Sequence, residues 1–167
     1  MAGQKIAAVI LAAGKGTRMR SNLPKVLHSV GGLPLVHYPV RHAQMLKAQR
    51  TVVVVGHGAE LVQNDLDAAF SPACVYAHQI EQRGTGHALM VGMEALKRFS
   101  GQVLVLSGDV PLLRLSTVKK LVRLAAKKGS AGSVLSMIPP DPTGYGRVIR
   151  NKRGQVTGIV EHKDCLP

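Results

Sequence analysis

The sequence predicts an α/β fold, a mixed, mostly parallel sheet with helices on both faces, and three observations lead there. Short β-rich runs alternate with segments of helical periodicity along the chain, the pattern of strands joined by helical crossovers. Apolar runs such as "AAVIL" and "VLVL" empty directly into glycine-containing loops, as buried parallel strands do. The 167 residues are enough for one ordinary α/β domain, and with 46% hydrophobic but only 3% aromatic residues its core must be aliphatic.

In chain order, a first strand is expected at 5–11. There "KIAAVILAAG" superficially resembles a signal-peptide core, but the basic loop after it and the lack of a second apolar stretch favour a buried strand. A helix is expected at 35–48, where Pro39 removes a backbone donor and must kink the helix or delay its start. Strand 51–55, helix 59–69, strand 73–78, helix 85–98 and strand 103–106 continue the alternation. The helix at 116–128 is the clearest. Val118, Leu121, Val122 and Ala125 recur at helical spacing, Ser116 is available as a cap, and Gly129 ends the run. A strand is expected at 132–138 and a pair at 146–150 and 155–161. The chain shows no internal repeat, low-complexity segment or interdomain linker, and no segment reaches the length of a membrane span.

The formal net charge of +13 favours anionic partners, whether nucleotide, sugar phosphate, nucleic acid or membrane surface, without choosing among them. Lys119, Arg123 and Lys127 form an i, i+4 row, which reads as a solvated helix face. As a nucleic-acid surface it lacks interleaved aromatics and any zinc or RNP-type motif. Two cysteines, Cys74 and Cys165, are too few for a metal cluster or a disulfide framework, which fits a reducing cytoplasm. Cys74 lies in an apolar run and reads as a small buried hydrophobe. The seven histidines show no ligand spacing: His37 and His42 are five apart, off one helical face, and His87 begins a helix. Neither a zinc site nor a histidine-based nucleophile is expected.

The chemistry concentrates in "VILAAGKGTRMRSNLPK", residues 9–25. Val9 stands where a P-loop needs a glycine, and Met19 where a dinucleotide fingerprint needs its third. What survives is the physics those motifs share. Gly14 and Gly16 let the backbone approach a ligand so that N–H groups cup an anion, and Lys15, Arg18, Arg20 and Lys25 supply opposite charge. A solvated basic loop has the same composition, so the loop alone leaves both readings open.

Further along, "VLVLSGDVPLL" puts Asp109 just past an apolar strand, where a carboxylate can hold Mg²⁺ against substrate phosphates or simply be a turn aspartate. "QIEQRGTGHAL" places Gly84, Thr85 and Gly86 at a helix entry, and Gln79 and Gln82 carry amides suited to a base edge. "DPTGYGRV" fits a hairpin turn. In open parallel sheets ligands bind beyond the carboxyl ends of the strands, near the reversal of strand order. Both the 12–25 loop and Asp109 belong at such ends.

Taken together and in order, "LAAGKGTRM" and "LPKVL" resemble the signature loop of sugar-nucleotide pyrophosphorylases. "VVGHGAE", "EQRGTGHA", "GDVPL", "DPTGYGR" and "GIVEHKD" narrow the resemblance to bifunctional bacterial enzymes. These are the N-acetylglucosamine-1-phosphate uridyltransferases that are also glucosamine-1-phosphate acetyltransferases. The resemblance covers essentially the whole chain but only the first part of that family's length.

It implies a Rossmann-like nucleotidyltransferase fold, with residues 1–167 the N-terminal portion of one uridyltransferase domain. It implies a cytoplasmic enzyme that transfers uridylyl from UTP to N-acetylglucosamine 1-phosphate, with Mg²⁺ as cofactor. Leu11, Ala12, Ala13 and Gly14 resemble the backbone contacting the nucleotide, Arg18 and Lys25 its catalytic phosphate-binding cations, and Gln79, Gly84 and Thr85 the uridine-reading set. Asp109 resembles the Mg²⁺ ligand, and Gly146 and Glu161 resemble sugar-phosphate contacts. The family's second metal-holding asparagine, its left-handed β-helix and its homotrimer contacts lie largely beyond this segment. Acetyl transfer is therefore not expected of the 167 residues, uridylyl transfer is expected to be impaired or absent if they are the whole molecule, and a monomer is open. Ser107 stands where many relatives carry a bulkier residue. Two alternatives remain: a sister nucleotidyltransferase with another sugar or base, and an inactive nucleotide-binding or basic nucleic-acid-binding module.

Overall fold

Six residues, IAAVIL, form the strand β1 (Ile6–Leu11) around which the rest is arranged; its four central residues are fully buried. The computed structural model describes residues 5–16, 19–72 and 74–165. They fall into two compact units, 1–132 and 133–167. After β1 the first unit continues through β2 (Ser29–Val30), β3 (Leu33–Pro34), α1 (His37–Met45), β4 (Arg50–Val55), α2 (Ala59–Ala69), β5 (Val75–His78), α3 (Thr85–Glu94), β6 (Gln102–Ser107) and α4 (Leu115–Ala125). The second unit holds β7 (Arg147–Arg150) and β8 (Val156–Val160).

The main sheet has the order β5-β4-β1-β6 and is parallel throughout, with Val9 facing Val52 on one side and Val105 on the other. Antiparallel pairing is confined to the hairpins β2–β3 and β7–β8. One face of the sheet, Ile10, Val53, Val55, Leu104 and Leu106, packs against Val40 of α1, Val62 and Leu66 of α2 and Val118 of α4. The other face, Ala7, Val9, Val52, Val54 and Ala77, packs against Ala88 of α3 and against Leu96. Burial on both sides is why these strands read as unbroken apolar runs. Helix α3 lies directly on the sheet at Gly92, where a Cβ would stand 2.6 Å from Val9 Cγ1 and 2.9 Å from Val54 Cγ2.

Several expectations are corrected. For Pro39 the second of its two expected alternatives holds: α1 starts at His37 rather than at 35, which leaves Pro39 in the first turn, where its missing N–H has no helical acceptor to lose. Helices α1, α3 and α4 end three or four residues before their expected ends. Ser116 is not a cap: α4 begins at Leu115, and the Arg114 carbonyl accepts the first bonds from Thr117 and Val118. Gly129 takes a positive φ in the turn beyond α4 rather than ending the helix itself. The run at 132–138 forms no strand. A strand needs a hydrogen-bonded neighbour, none of the described strands pairs with it, and Val134, Leu135, Met137 and Ile138 are exposed. The β2–β3 hairpin was not foreseen, although Gly31-Gly32 between two short flanks is a hairpin signal.

Candidate functional site

Strand order reverses at β1, whose neighbours β4 and β6 continue in opposite directions from it. Beyond its carboxyl end lies a cavity of about 350 Å³. Four segments wall it: Leu11 to Gly14; Lys25 and Val26; Gln79, Gln82, Gly84, Thr85 and Ala88; and Ser107 with Asp109. Every expected nucleotide contact that is described, and the expected metal ligand, therefore meets at one place.

Backbone hydrogen bonds set the walls. Ala12 N–H donates to Val54 O at 2.9 Å, extending the β1–β4 ladder, and Gly108 N–H donates to Leu11 O at 2.9 Å, holding the turn that presents Asp109. Lys25 opens a 3₁₀ turn, Lys25–Leu27, in which the next residue, Val26, is buried in the core and accepts from Val36 N–H at 2.9 Å. That anchor fixes where the lysine side chain starts. Gly16 has φ +61°, and a Cβ there would lie 2.6 Å from Lys25 Cβ, so the loop closes onto the lysine only with glycine at this position.

Lys25 Nζ meets Asp109 Oδ2 at 2.5 Å across 84 positions of sequence. Both side chains are about one-third exposed or more, so the pair contributes little net stability and its charges are available to a ligand. On the facing wall, Gln79 is 5% exposed; its N–H donates to Val55 O, and its amide nitrogen contacts Gly84 O and His87 Nδ1. Gln82 Nε2 donates to Ala13 O at 2.7 Å, tying the wall before α3 to the loop after β1. Thr85 starts α3, so the first-turn N–H groups, which have no helical acceptors, begin at the cavity wall.

Not all expected residues are here. Lys15 and Arg20 are exposed and do not line the cavity, and Arg18 lies outside the described residues. Gly146 and Glu161 belong to the second unit, where they flank the β7–β8 hairpin. A Cβ on Gly146 would stand 3.9 Å from Glu161 Oε2, so the hairpin brings these two together. His37, which shows no ligand spacing in the sequence, is buried with Nε2 2.6 Å from Asp65 Oδ2, joining α1 to α2, and does not line the cavity. Gln82, expected to offer its amide to a base edge, instead gives its nitrogen to Ala13 O, and His87, read only as beginning a helix, meets Gln79; the "GTGH" helix entry was the only signal for the second.

For a metal the donor set is sparse. Among the described residues no three His, Cys, Asp or Glu side chains gather as a ligand cluster, and Asp109 is the one carboxylate on the cavity. A single carboxylate fits a Mg²⁺ ion that takes its remaining ligands from water and substrate phosphates, and does not fit an ion caged by protein.

A parallel sheet with a glycine-lined cavity at its switch point, holding a lysine and a carboxylate, is the frame of a nucleotidyltransferase-type α/β domain. The chain belongs to the MobA-like NTP transferase domain family, which matches residues 8–158. It is 51% identical over 99% of its length to the Bifunctional protein GlmU of Syntrophotalea carbinolica, but that match covers 35% of the relative. The chain thus spans about a third of the length of the curated relatives it matches. Its fold is like that of a putative glucose-1-phosphate thymidylyltransferase from Bacillus anthracis, solved with a sucrose. There the TM-score is 0.67 at 19% identity, over 94% of this chain and 64% of that one. It is also like that of a Mycobacterium tuberculosis protein solved with manganese, with TM-score 0.58 at 16% identity over 72% and 59%. Among the described residues no helix is long and apolar enough to cross a membrane.

Proposed function

We propose that the chain is the nucleotide-binding part of an enzyme that transfers uridylyl from UTP to N-acetylglucosamine 1-phosphate, releasing pyrophosphate. What supports the reading is the convergence of Leu11 to Gly14, Lys25, Gln79, Gly84, Thr85 and Asp109 on one cavity. Homology to relatives named GlmU supports it.

In this reading the nucleophile is a phosphate oxygen already ionised at neutral pH, so no general base is needed. The task is to hold two anions together in line and to stabilise charge that builds on the phosphates. Backbone N–H groups of Ala13 and Gly14 and the start of α3 receive the nucleotide. Lys25, with Arg18, screens phosphate charge, and Gln79 reads the base. Asp109 would hold Mg²⁺, which when bound neutralises phosphate charge and orients the leaving pyrophosphate. Lys25 exchanges its Asp109 partner for a phosphate oxygen as substrate arrives. Gly146 and Glu161 would receive the sugar phosphate.

The test is calorimetry of UTP with Mg²⁺ on this chain, beside pyrophosphate release by the protein supplied with N-acetylglucosamine 1-phosphate. UTP binding lost in Lys25→Ala supports the reading. Equal turnover with every sugar phosphate offered, or no UTP binding by the folded chain, overturns it.

A further inference from the structure

We propose that His87 is a positioning residue that holds the Gln79 amide with its oxygen toward the cavity, so that the site selects a pyrimidine carrying a ring N–H. The proposal rests on the nucleotide-binding reading above.

The geometry leaves the amide one orientation. Gln79 Nε2 lies 3.2 Å from Gly84 O, and a carbonyl oxygen can only accept, so the atom there must be the nitrogen. The same nitrogen lies 3.1 Å from His87 Nδ1. With two N–H groups and two acceptors, the amide donates one to each. His87 Nδ1 must then be the bare nitrogen, and its proton sits on Nε2. Both donors of Gln79 are thereby committed.

The oxygen is not. Among the described residues Gln79 Oε1 has no hydrogen-bond partner, yet it is not one of the sealed unpaired atoms, which are His28 Nε2 and Gln102 Oε1. Gln79 lines the cavity, so its oxygen is the polar atom left to face a ligand. An acceptor with no donor beside it pairs with an N–H edge. Uracil carries a proton on N3, and cytosine carries a lone pair there, which would face the oxygen's own lone pairs. A polar site left unmatched in this way discriminates far more sharply than an apolar pocket does.

Gly84 O alone does not lock the side chain, because one hydrogen bond is worth only about a factor of ten. The second anchor comes from His87, in the first turn of α3. Without it the amide can turn over and present NH₂ to the cavity, the arrangement that suits cytosine.

Calorimetric Kd values for UTP and CTP, on the chain and its His87→Leu and His87→Asn variants, test this, with melting temperatures taken alongside. Asn offers an Oδ1 acceptor at about the same distance from the backbone as imidazole Nδ1, and Leu offers none. The expected result is a preference for UTP that narrows about tenfold or more in His87→Leu and stays near the parent value in His87→Asn. Equal weakening of both nucleotides in His87→Leu would mark a merely structural role and overturn the proposal. Equal affinity for UTP and CTP in the unaltered chain would overturn it while leaving nucleotide binding intact, whereas binding of neither would overturn the underlying reading as well. Should His87→Leu not fold, the ring-nitrogen NMR signals of unaltered His87 decide: a proton on Nε2 supports the proposal, and one on Nδ1 refutes it.

Discussion

Replacing Gly92 with alanine tests how closely the site's supporting helix is seated. Gly→Ala in a helix interior normally stabilises by about 1 kcal/mol. Here the new methyl would stand 2.6 Å from Val9 Cγ1 and 2.9 Å from Val54 Cγ2, roughly an ångström inside ordinary contact. Both valines are fully buried in central strands and cannot swing away. Overpacking of this kind costs about 1–3 kcal/mol, and a clash with two rigid β-branched side chains belongs toward the upper end. The net expectation is a loss of about 1–2 kcal/mol, or about 3–6 °C in Tm at this chain length. Because Thr85 and Ala88 of the same helix line the cavity, a lifted α3 also weakens UTP binding. Gly86→Ala is the control, since a Cβ there meets nothing within 4 Å. Thermal and urea unfolding followed by circular dichroism would measure both. A Gly92→Ala protein as stable as the parent, or a Gly86→Ala protein equally destabilised, would refute the claim of direct contact between helix and sheet.

Three further outcomes are expected. Lys25→Ala should lower turnover by about 10²–10³, the scale for loss of one charge-assisted contact to a developing anion; a drop under tenfold in pyrophosphate release by folded protein would remove Lys25 from that role. Gln82→Ala frees Ala13 O from its tether, and should speed hydrogen exchange at residues 12–16 and weaken UTP binding with little change in Tm. Burial, and then the Asp67 charge, push the Cys74 thiol from 9.0 up to about 11. The unfolded chain therefore loses this proton first, and its contribution to stability, full below pH 9, is lost as pH rises from 9 to 11. Urea midpoints across that window should fall less steeply in Cys74→Ala; an identical slope would contradict the shift.

The parallel core was legible because "AAVIL", "TVVVV" and "VLVL" have no polar alternation to confuse with surface; the first two are the central strands β1 and β4, covered on both faces, and the third is the edge strand β6, where Val105 stays exposed. Helix α2 matches its expected bounds, 59–69, because its apolar positions Val62 and Leu66 recur with a helical period. The expectation failed where a pattern needed a partner that local sequence cannot supply. The 132–138 run has strand composition and no strand beside it, and Ser116 has capping chemistry one residue inside the first turn.

The sequence by itself determined the sheet, the helices that cover it and the glycine-rich loops at its carboxyl end, because burial and backbone conformation leave marks within a few residues. Only the tertiary structure decided the pairings that make those loops a site. Lys25 reaches Asp109 across 84 positions, Gln82 reaches Ala13 across 69, and His87 meets Gln79 where the entry to α3 folds back. Such contacts depend on the parallel strand order carrying β1, β5 and β6 to one edge, and side-chain identity at either end of a pairing records nothing of how far apart its partner lies.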